Sequence, residues 1–407
     1  MRFVVVLCLF TLGACDAVDT ETPRADLRSL SSTEQRIVEA DNTFGFNLFR
    51  QTVAAEPEAN VFISPLSVSM ALGMTLNGAE GETREEMEAT LELVGLDREA
   101  INASYASLIE LLQGLDPSVA FSIANSVWYR EGFEVLPAFT ETNRAAFDAE
   151  VRGLDFGSAQ APAIINDWVK DQTNQKIEKI IEGGIHPLTV LFLINAIHFK
   201  GDWTYTFDTA NTLEAPFRLR DGRESTVDMM VSEEMPVLSY WDENLQAVEL
   251  SYGDSLYAMT LVMPHDADAF DTFVQELDAD HWNTISAGLT EAELTVGLPR
   301  FKQSYEVDLN DALKALGMPQ AFDPAAANFS SIHPDAQALG MHISKVKHKT
   351  FVEVNEEGTE ATAVTSVEIR LESAPIALWF DRPFVYVIRE RHTGSVLFVG
   401  QMQNPAA

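Results

Sequence analysis

Glu356-Glu357-Gly358-Thr359-Glu360-Ala361-Thr362-Ala363-Val364-Thr365 opens a stretch, running to Pro383, on which the reading of this chain turns. Taken alternately from Thr359, the residues Thr359, Ala361, Ala363, Thr365, Val367, Ile369 and Leu371 are small or apolar and uncharged. The intervening set is Glu360, Thr362, Val364, Ser366, Glu368, Arg370 and Glu372, and it holds every charge of that run. A strand turns successive side chains to opposite faces, so this is the pattern of a strand with one buried face. The run is long for a strand, where about five or six residues is usual, and its first proline is Pro375. On pattern alone, an ordinary edge strand with one wet face is the simpler reading.

The flanking sequence predicts a mixed α+β fold. Helical spacing runs from Ser32 through Ile37, Phe44, Phe46, Leu48 and Phe49, and again over Ser67 to Leu76, Thr83 to Leu91, Ile101 to Leu112 and Ala161 to Ile181, with a break at Gly183-Gly184. Phe121 to Tyr129 alternates like a strand, and the apolar run Leu188 to Phe199 fits a buried central strand. Later come short β-like runs at Ala247 to Leu250, Ala258 to Met263, Glu293 to Pro299, Phe384 to Arg389 and Val396 to Gln401. No repeat and no shift in composition interrupts this part, so one large domain over 34–404 is expected.

The 407 residues include 27 basic and 62 acidic side chains, a net charge of -35. Such a chain does not bind nucleic acid through phosphate contacts. The simpler reading of the charge is a strongly solvated surface, and the sharper one is attraction of a basic target enzyme. Both cysteines, Cys8 and Cys15, precede the predicted domain, which excludes a disulfide framework, a cysteine metal site or a cysteine nucleophile within it.

Arg2, the apolar run Phe3 to Leu12 and the ending Leu12-Gly13-Ala14-Cys15 describe a secretory signal over 1–14. The run is too short for a mature spanning helix. The ending resembles the bacterial lipobox, in which the cysteine is lipidated. It implies a lipid on Cys15, a tether over 15–33 and a place at the cell envelope or its outer face, with the lipid as the only membrane contact.

Motifs for catalysis are missing: no Gly-x-Ser-x-Gly elbow, no His-Glu-x-x-His, no phosphate loop and no Gly-x-Gly-x-x-Gly. The eight histidines show no ligand spacing, so no metal is expected. Asn102-Ala103-Ser104 and Asn328-Phe329-Ser330 fit the glycosylation pattern but read as chance.

Several blocks, in order, resemble the serpin family. Glu356 to Ala363 is similar to the hinge of the serpin reactive loop. Asn60-Val61-Phe62-Ile63-Ser64-Pro65-Leu66-Ser67 resembles the start of the second helix, and Asn195-Ala196-Ile197-His198-Phe199-Lys200-Gly201-Asp202-Trp203 a strand and turn of the central sheet. Leu298-Pro299-Arg300-Phe301, Asp381-Arg382-Pro383-Phe384 and Phe398-Val399-Gly400 match later blocks. The resemblance spans residues 35 to 404. It implies helices packed on a five-stranded central sheet, with further sheets and an exposed reactive loop over 356–383 as bait. A protease cuts the loop, forms an acyl-enzyme, and is trapped as the loop inserts as an extra strand. The protein is then an inhibitor and not an enzyme, expected to be a monomer that uses no cofactor. The hinge Glu356, Glu357, Gly358, Thr359, Glu360, Ala361, Thr362 and Ala363 has an inward face small enough to pass between strands. Burying Val367, Ile369 and Leu371 contributes roughly 1.5–3 kcal/mol each, and each new ladder bond about 0.5–1.5.

The resemblance also implies a polar shutter beneath the sheet, at Ser64, Ser67, Asn195 and His348. At the upper opening of the sheet it implies a breach closed by Trp203, Arg300 and Glu356, including a Glu356–Arg300 ion pair. Counted from Gly358 in the family's register, the scissile bond is Glu372–Ser373. A glutamate there suits a protease with a basic pocket and disfavours trypsin-like enzymes at that bond. Cutting after Arg370 instead suits trypsin-like enzymes, and after Leu371 chymotrypsin- or elastase-like ones. Leu371 as the second residue before a cut at Glu372–Ser373 also suits papain-like cysteine proteases. The partner is thus a serine or cysteine protease held in a covalent complex. Two alternatives remain: a non-inhibitory binding protein of the same fold, and an envelope hydrolase, which no motif supports.

Overall fold

The computed structural model describes residues 27–187, 189–359 and 377–406. The helices are α1 (Ser32–Ala55), α2 (Pro65–Leu76), α3 (Gly81–Thr90), α4 (Arg98–Gly114), α5 (Pro137–Phe147), α6 (Ala161–Gln172), α7 (Phe270–Glu276), α8 (Ala279–Ala287) and α9 (Asn310–Leu316). The strands are β1 (Val61–Ile63), β2 (Val119–Arg130), β3 (Glu150–Leu154), β4 (Leu191–Asp202), β5 (Leu213–Arg218), β6 (Glu224–Val231), β7 (Met235–Trp241) and β8 (Leu245–Tyr252). They continue with β9 (Tyr257–Pro264), β10 (Thr290–Pro299), β11 (Phe301–Asp308), β12 (Lys347–Val354), β13 (Gly358–Thr359), β14 (Ala377–Trp379), β15 (Phe384–Glu390) and β16 (Val396–Met402).

One sheet is ordered β11-β12-β13-β4-β2-β3, and it is mixed, since β2 pairs β4 antiparallel and β3 parallel. A second, ten-stranded sheet runs from β1 through β16, β15, β9, β8, β7, β10 and β6 to β5, with β14 on β10. The fold is therefore the expected α+β arrangement. The central sheet has five long strands as the resemblance implied, plus the two-residue β13 between them.

Local chemistry accounts for the element ends. Ser31 caps α1 in a capping box with Glu34, and Pro65 follows the N-cap Ser64 of α2. The buried faces of α1, α2 and α4 join one large core between the sheets. A smaller cluster of Trp128, Phe156, Ile165, Val169, Ile177 and Ile194 packs α6 on the opposite face of the central sheet. The even residues of β4 thus face α6, while Phe199 and its odd-numbered neighbours face the main core.

Three boundaries differ from the sequence reading. The helix expected to reach Ile181 stops at Gln172. There the Thr173 hydroxyl donates to the Val169 carbonyl and accepts the Ile177 N–H, Asn174 and Gln175 take positive φ, and Asn166 Oδ1 accepts the Ile180 and Ile181 N–H groups. Side-chain capping there replaces the helical ladder. The strand expected at Leu188 to Phe199 starts at Leu191 and runs to Asp202, half-buried over most of its length. The stretch read as tether already carries fixed residues: the Arg28 guanidinium bonds Glu34 and Ser107, and the Arg28 carbonyl meets His392.

Candidate functional site

The site begins where β12 ends. Asn355 turns the chain, its Oδ1 accepting the N–H groups of Glu357 and Gly358, and its own N–H donating to the Gly358 carbonyl. The chain then enters the central sheet, with Thr359 opposite Val354 of β12 and Gly201 of β4. Gly358 has φ +155, and a Cβ there would collide with the Gly201 carbonyl oxygen, so two separate constraints demand glycine. Thr359 is buried, and its hydroxyl hydrogen-bonds the Tyr252 phenol at 2.8 Å. The resemblance put Glu356 at the opening of the sheet and the loop beyond it above the sheet; Gly358 and Thr359 are instead already seated, because Asn355 and Tyr252 supply partners that spacing in sequence does not reveal.

Trp203 stacks on Tyr252 with ring centroids 4.4 Å apart and planes 13° apart. Its indole N–H donates to the Asn355 carbonyl at 2.9 Å, and its backbone N–H to Glu357 at 2.7 Å. Glu356 is 4% exposed, accepts the Thr212 hydroxyl at 2.6 Å and forms an ion pair with Arg300, which also meets Asp228 at 3.5 Å. Burial acts to raise the Glu356 carboxyl, but the hydrogen bonds from Arg300 and Thr212 outweigh it and hold it below the usual range. The three residues expected at the breach are thus brought together, and Tyr252, Thr212 and Asn355 join them with no signal in the sequence.

Among the described residues β4 and β12 share no register with each other and meet only through β13. The cleft between them is lined by Ser64, Ser67, Asn195, Ile197, His348 and Thr350, so all four expected shutter residues converge on one seam. The Ser64 N–H donates to His348 Nε2 at 3.0 Å, the Ser64 hydroxyl to the Leu397 carbonyl at 2.7 Å, and the Ser67 N–H to Ser64 Oγ at 3.3 Å. Burial pushes the His348 imidazole down to about 4, and the neutral ring is the form that can accept the Ser64 N–H. Asn195 bonds elsewhere, donating to Asn125 Oδ1 at 2.7 Å, and its own Oδ1 is buried without a partner among the described residues. Asn125, which sequence reading missed, carries the link on to the Phe147 carbonyl.

The far end of the stretch is anchored in the other sheet. Ala377, Leu378 and Trp379 run parallel to Thr295, Val296 and Gly297 of β10, and Trp379 lies where a side chain on Gly297 would be. Residues 360–376, seventeen in all, join the two anchors. Glu360, Ala361, Thr362 and Ala363 of the hinge, Arg370, Leu371, Glu372 and Ser373 at the candidate bonds, and Cys15 lie outside the described residues. Of the glycosylation patterns, Asn102 is engaged in reciprocal amide bonds with Asn77.

Residues 39–405 match the family described as Serpin (serine protease inhibitor). This chain belongs to the serpin family. Among its relatives, Iripin-2 of Ixodes ricinus is 33% identical over 377 residues, covering 91% of this serpin and 94% of the relative. Leukocyte elastase inhibitor of Sus scrofa is 33% identical over 387 residues, covering 91% and 100%. Corticosteroid-binding globulin of Homo sapiens is 32% identical over 414 residues, covering both chains fully. The solved native structure of Tengpin, a thermophilic serpin, superposes with a TM-score of 0.82 at 29% identity, covering 93% of this serpin and 95% of Tengpin. One of these relatives is thus named for elastase inhibition and another for corticosteroid binding.

Proposed function

We propose that this serpin is a single-use protease inhibitor whose loop is cut near Glu372–Ser373 and then fills the seam between β4 and β12, trapping the protease as an acyl-enzyme. The observation that carries this is the register of β13. Thr359 opposes Gly201 and Val354, so a strand continuing from it places Ala361 opposite Phe199 and Val352, and Ala363 opposite Ile197 and Thr350. Thr365 then falls between Asn195 and His348. The uncharged set of the loop meets the core-facing residues of both neighbours, and its one polar member past Thr359 meets their polar pair. There a threonine hydroxyl supplies a donor for the orphaned Asn195 Oδ1. The name leukocyte elastase inhibitor among the relatives supports the same reading.

The test is incubation with serine proteases of different pocket chemistry, plus a papain-like enzyme, read on a denaturing gel. A complex that survives boiling in detergent is expected, and mass spectrometry of the released fragment names the bond among those after Arg370, Leu371 and Glu372. The globulin relative favours one other reading, a carrier that binds a small ligand. A carrier yields cleaved loop without a complex. We further infer lipidation of Cys15 and a place at a bacterial cell envelope; Cys15→Ser is expected to release the protein from membranes.

A further inference from the structure

Helix α6 ends at Gln172, and Thr173 and Asn166 hold the residues that follow against the sheet by side-chain bonds to the Ile177, Ile180 and Ile181 N–H groups. In this tail, Ile177 and Ile180 line the cleft between β4 and β12, together with Val169 of α6, Ala196 of β4 and Lys349 of β12. Ile177 and Val169 belong to the apolar cluster on the α6 side of the sheet. Lys176 carries the tail across to β12, its ammonium 5.0 Å from the centre of the Phe351 ring and 4.0 Å from Glu353. The middle of the seam is therefore roofed by apolar side chains on the face away from the main core.

Continued from Thr359, the register puts Val364 between Ala196 and Lys349, at this roof. Its neighbours on the same face, Thr362 and Ser366, are uncharged. The glutamates of that face fall further along, Glu360 opposite Lys200 and Glu368 opposite Lys345. Both lysines are reached by solvent, so pairs there are worth little. Charge thus stands on the outward face where water reaches it and is missing where the roof lies. Lys349 does not compete for the slot, because its ammonium is engaged by Glu306 of β11 at 3.0 Å.

We propose that the tail of α6 is a second receptor for the cut loop, taking Val364 beneath Ile177 and Ile180, so that the seated strand is held from both faces of the sheet. This rests on the insertion proposed above and assigns the face that the core-side register leaves open. Val364 is a positioning residue: it touches no reacting atom, and burying its side chain under the roof favours the seated strand. A charge of either sign in its place loses its water and gains no counter-ion. On an ordinary wet face, either charge would be tolerated.

Val364→Asp and Val364→Lys test this in the full chain, with the loop uncut and then cut by a protease. Uncut, both variants are expected to melt with the wild type. After the cut the wild type is expected to melt higher, and both variants to gain about 4 °C less. Each is also expected to need about tenfold more inhibitor per protease inactivated. Gains equal to the wild type's, or a loss with one sign of charge only, overturn the α6 receptor and leave insertion standing. A wild type that gains nothing on cutting overturns both. Val364→Ala and Ile180→Ala are expected to be coupled in the melting of the cut protein and additive in the uncut one; additivity in both also overturns the proposal.

Discussion

Thr365→Arg is the substitution that most directly tests the trap. Continued from Thr359, the ladder carries residue 365 to the slot between Asn195 and His348, on the core side of the sheet. Both neighbours are neutral there, and the seam has no carboxylate among its described lining residues. An arginine in that slot is a buried charge without a counter-ion, at a cost of about 3–5 kcal/mol. Each residue that zips in gains at most about two ladder bonds of 0.5–1.5 kcal/mol. The gain per step is smaller than the cost, so insertion stalls at Val364. Since about 1.4 kcal/mol is tenfold in rate, the stalled step is slowed by at least a hundredfold, and hydrolysis of the acyl-enzyme wins. The assay is the number of inhibitor molecules consumed per protease inactivated, with gel detection of the complex. Thr365→Arg is expected to be cleaved as a substrate and to leave active protease. Glu360→Gln, on the opposite face of the run, is expected to trap as before. A Thr365→Arg protein that forms the stable complex at wild-type stoichiometry refutes the register.

Gly358→Ala puts a side chain into the Gly201 carbonyl at a φ that favours glycine, a strain of about 1–3 kcal/mol; the hinge is expected to leave the sheet, seen as proteolytic cleavage between Asn355 and Thr359 that the wild type resists. Glu356→Lys places two cations together at Arg300 and strands the Thr212 hydroxyl; thermal unfolding is expected several degrees lower, and an unchanged midpoint argues against the breach as a stabilising contact. His348 sets an acid limit. Its folded value of about 4 lies below the ordinary 6.5, so its contribution is complete above pH 6.5 and lost as pH falls toward 4. The loss is about 3 kcal/mol, measurable as a steep fall in urea midpoint over that range that His348→Gln flattens.

What could be read in the sequence was what repeats or stands beside its own neighbours. The alternation from Thr359 to Leu371 announces a strand because the face of each side chain follows from position alone. Pro65 just before an apolar helical run likewise marks a helix start by local chemistry, whereas the demand for glycine at 358 shows only in the fold. The Arg300–Glu356 pair was legible only through resemblance, since 56 residues separate the partners. Tyr252 lies 107 residues from Thr359, and nothing in Ser251-Tyr252-Gly253 distinguishes it from a core tyrosine. The end of α6 was missed because Thr173 and Asn166 bond the backbone sideways, a choice that apolar spacing does not record. That the hinge is partly seated followed from neither pattern nor family.

Because Trp379 is locked over Gly297 while Thr359 is gripped at the other pole, the uncut segment behaves as a belt buckled at both ends. Whatever slides into the sheet at one buckle has to be drawn from a fixed length of about 58 Å. Severing it anywhere along that length releases the slack, and so does slipping the second buckle. Under the proposed insertion, a bulkier residue in place of Gly297 is therefore expected to let the loop enter the sheet without a cut, seen on storage as loss of inhibition with the chain intact.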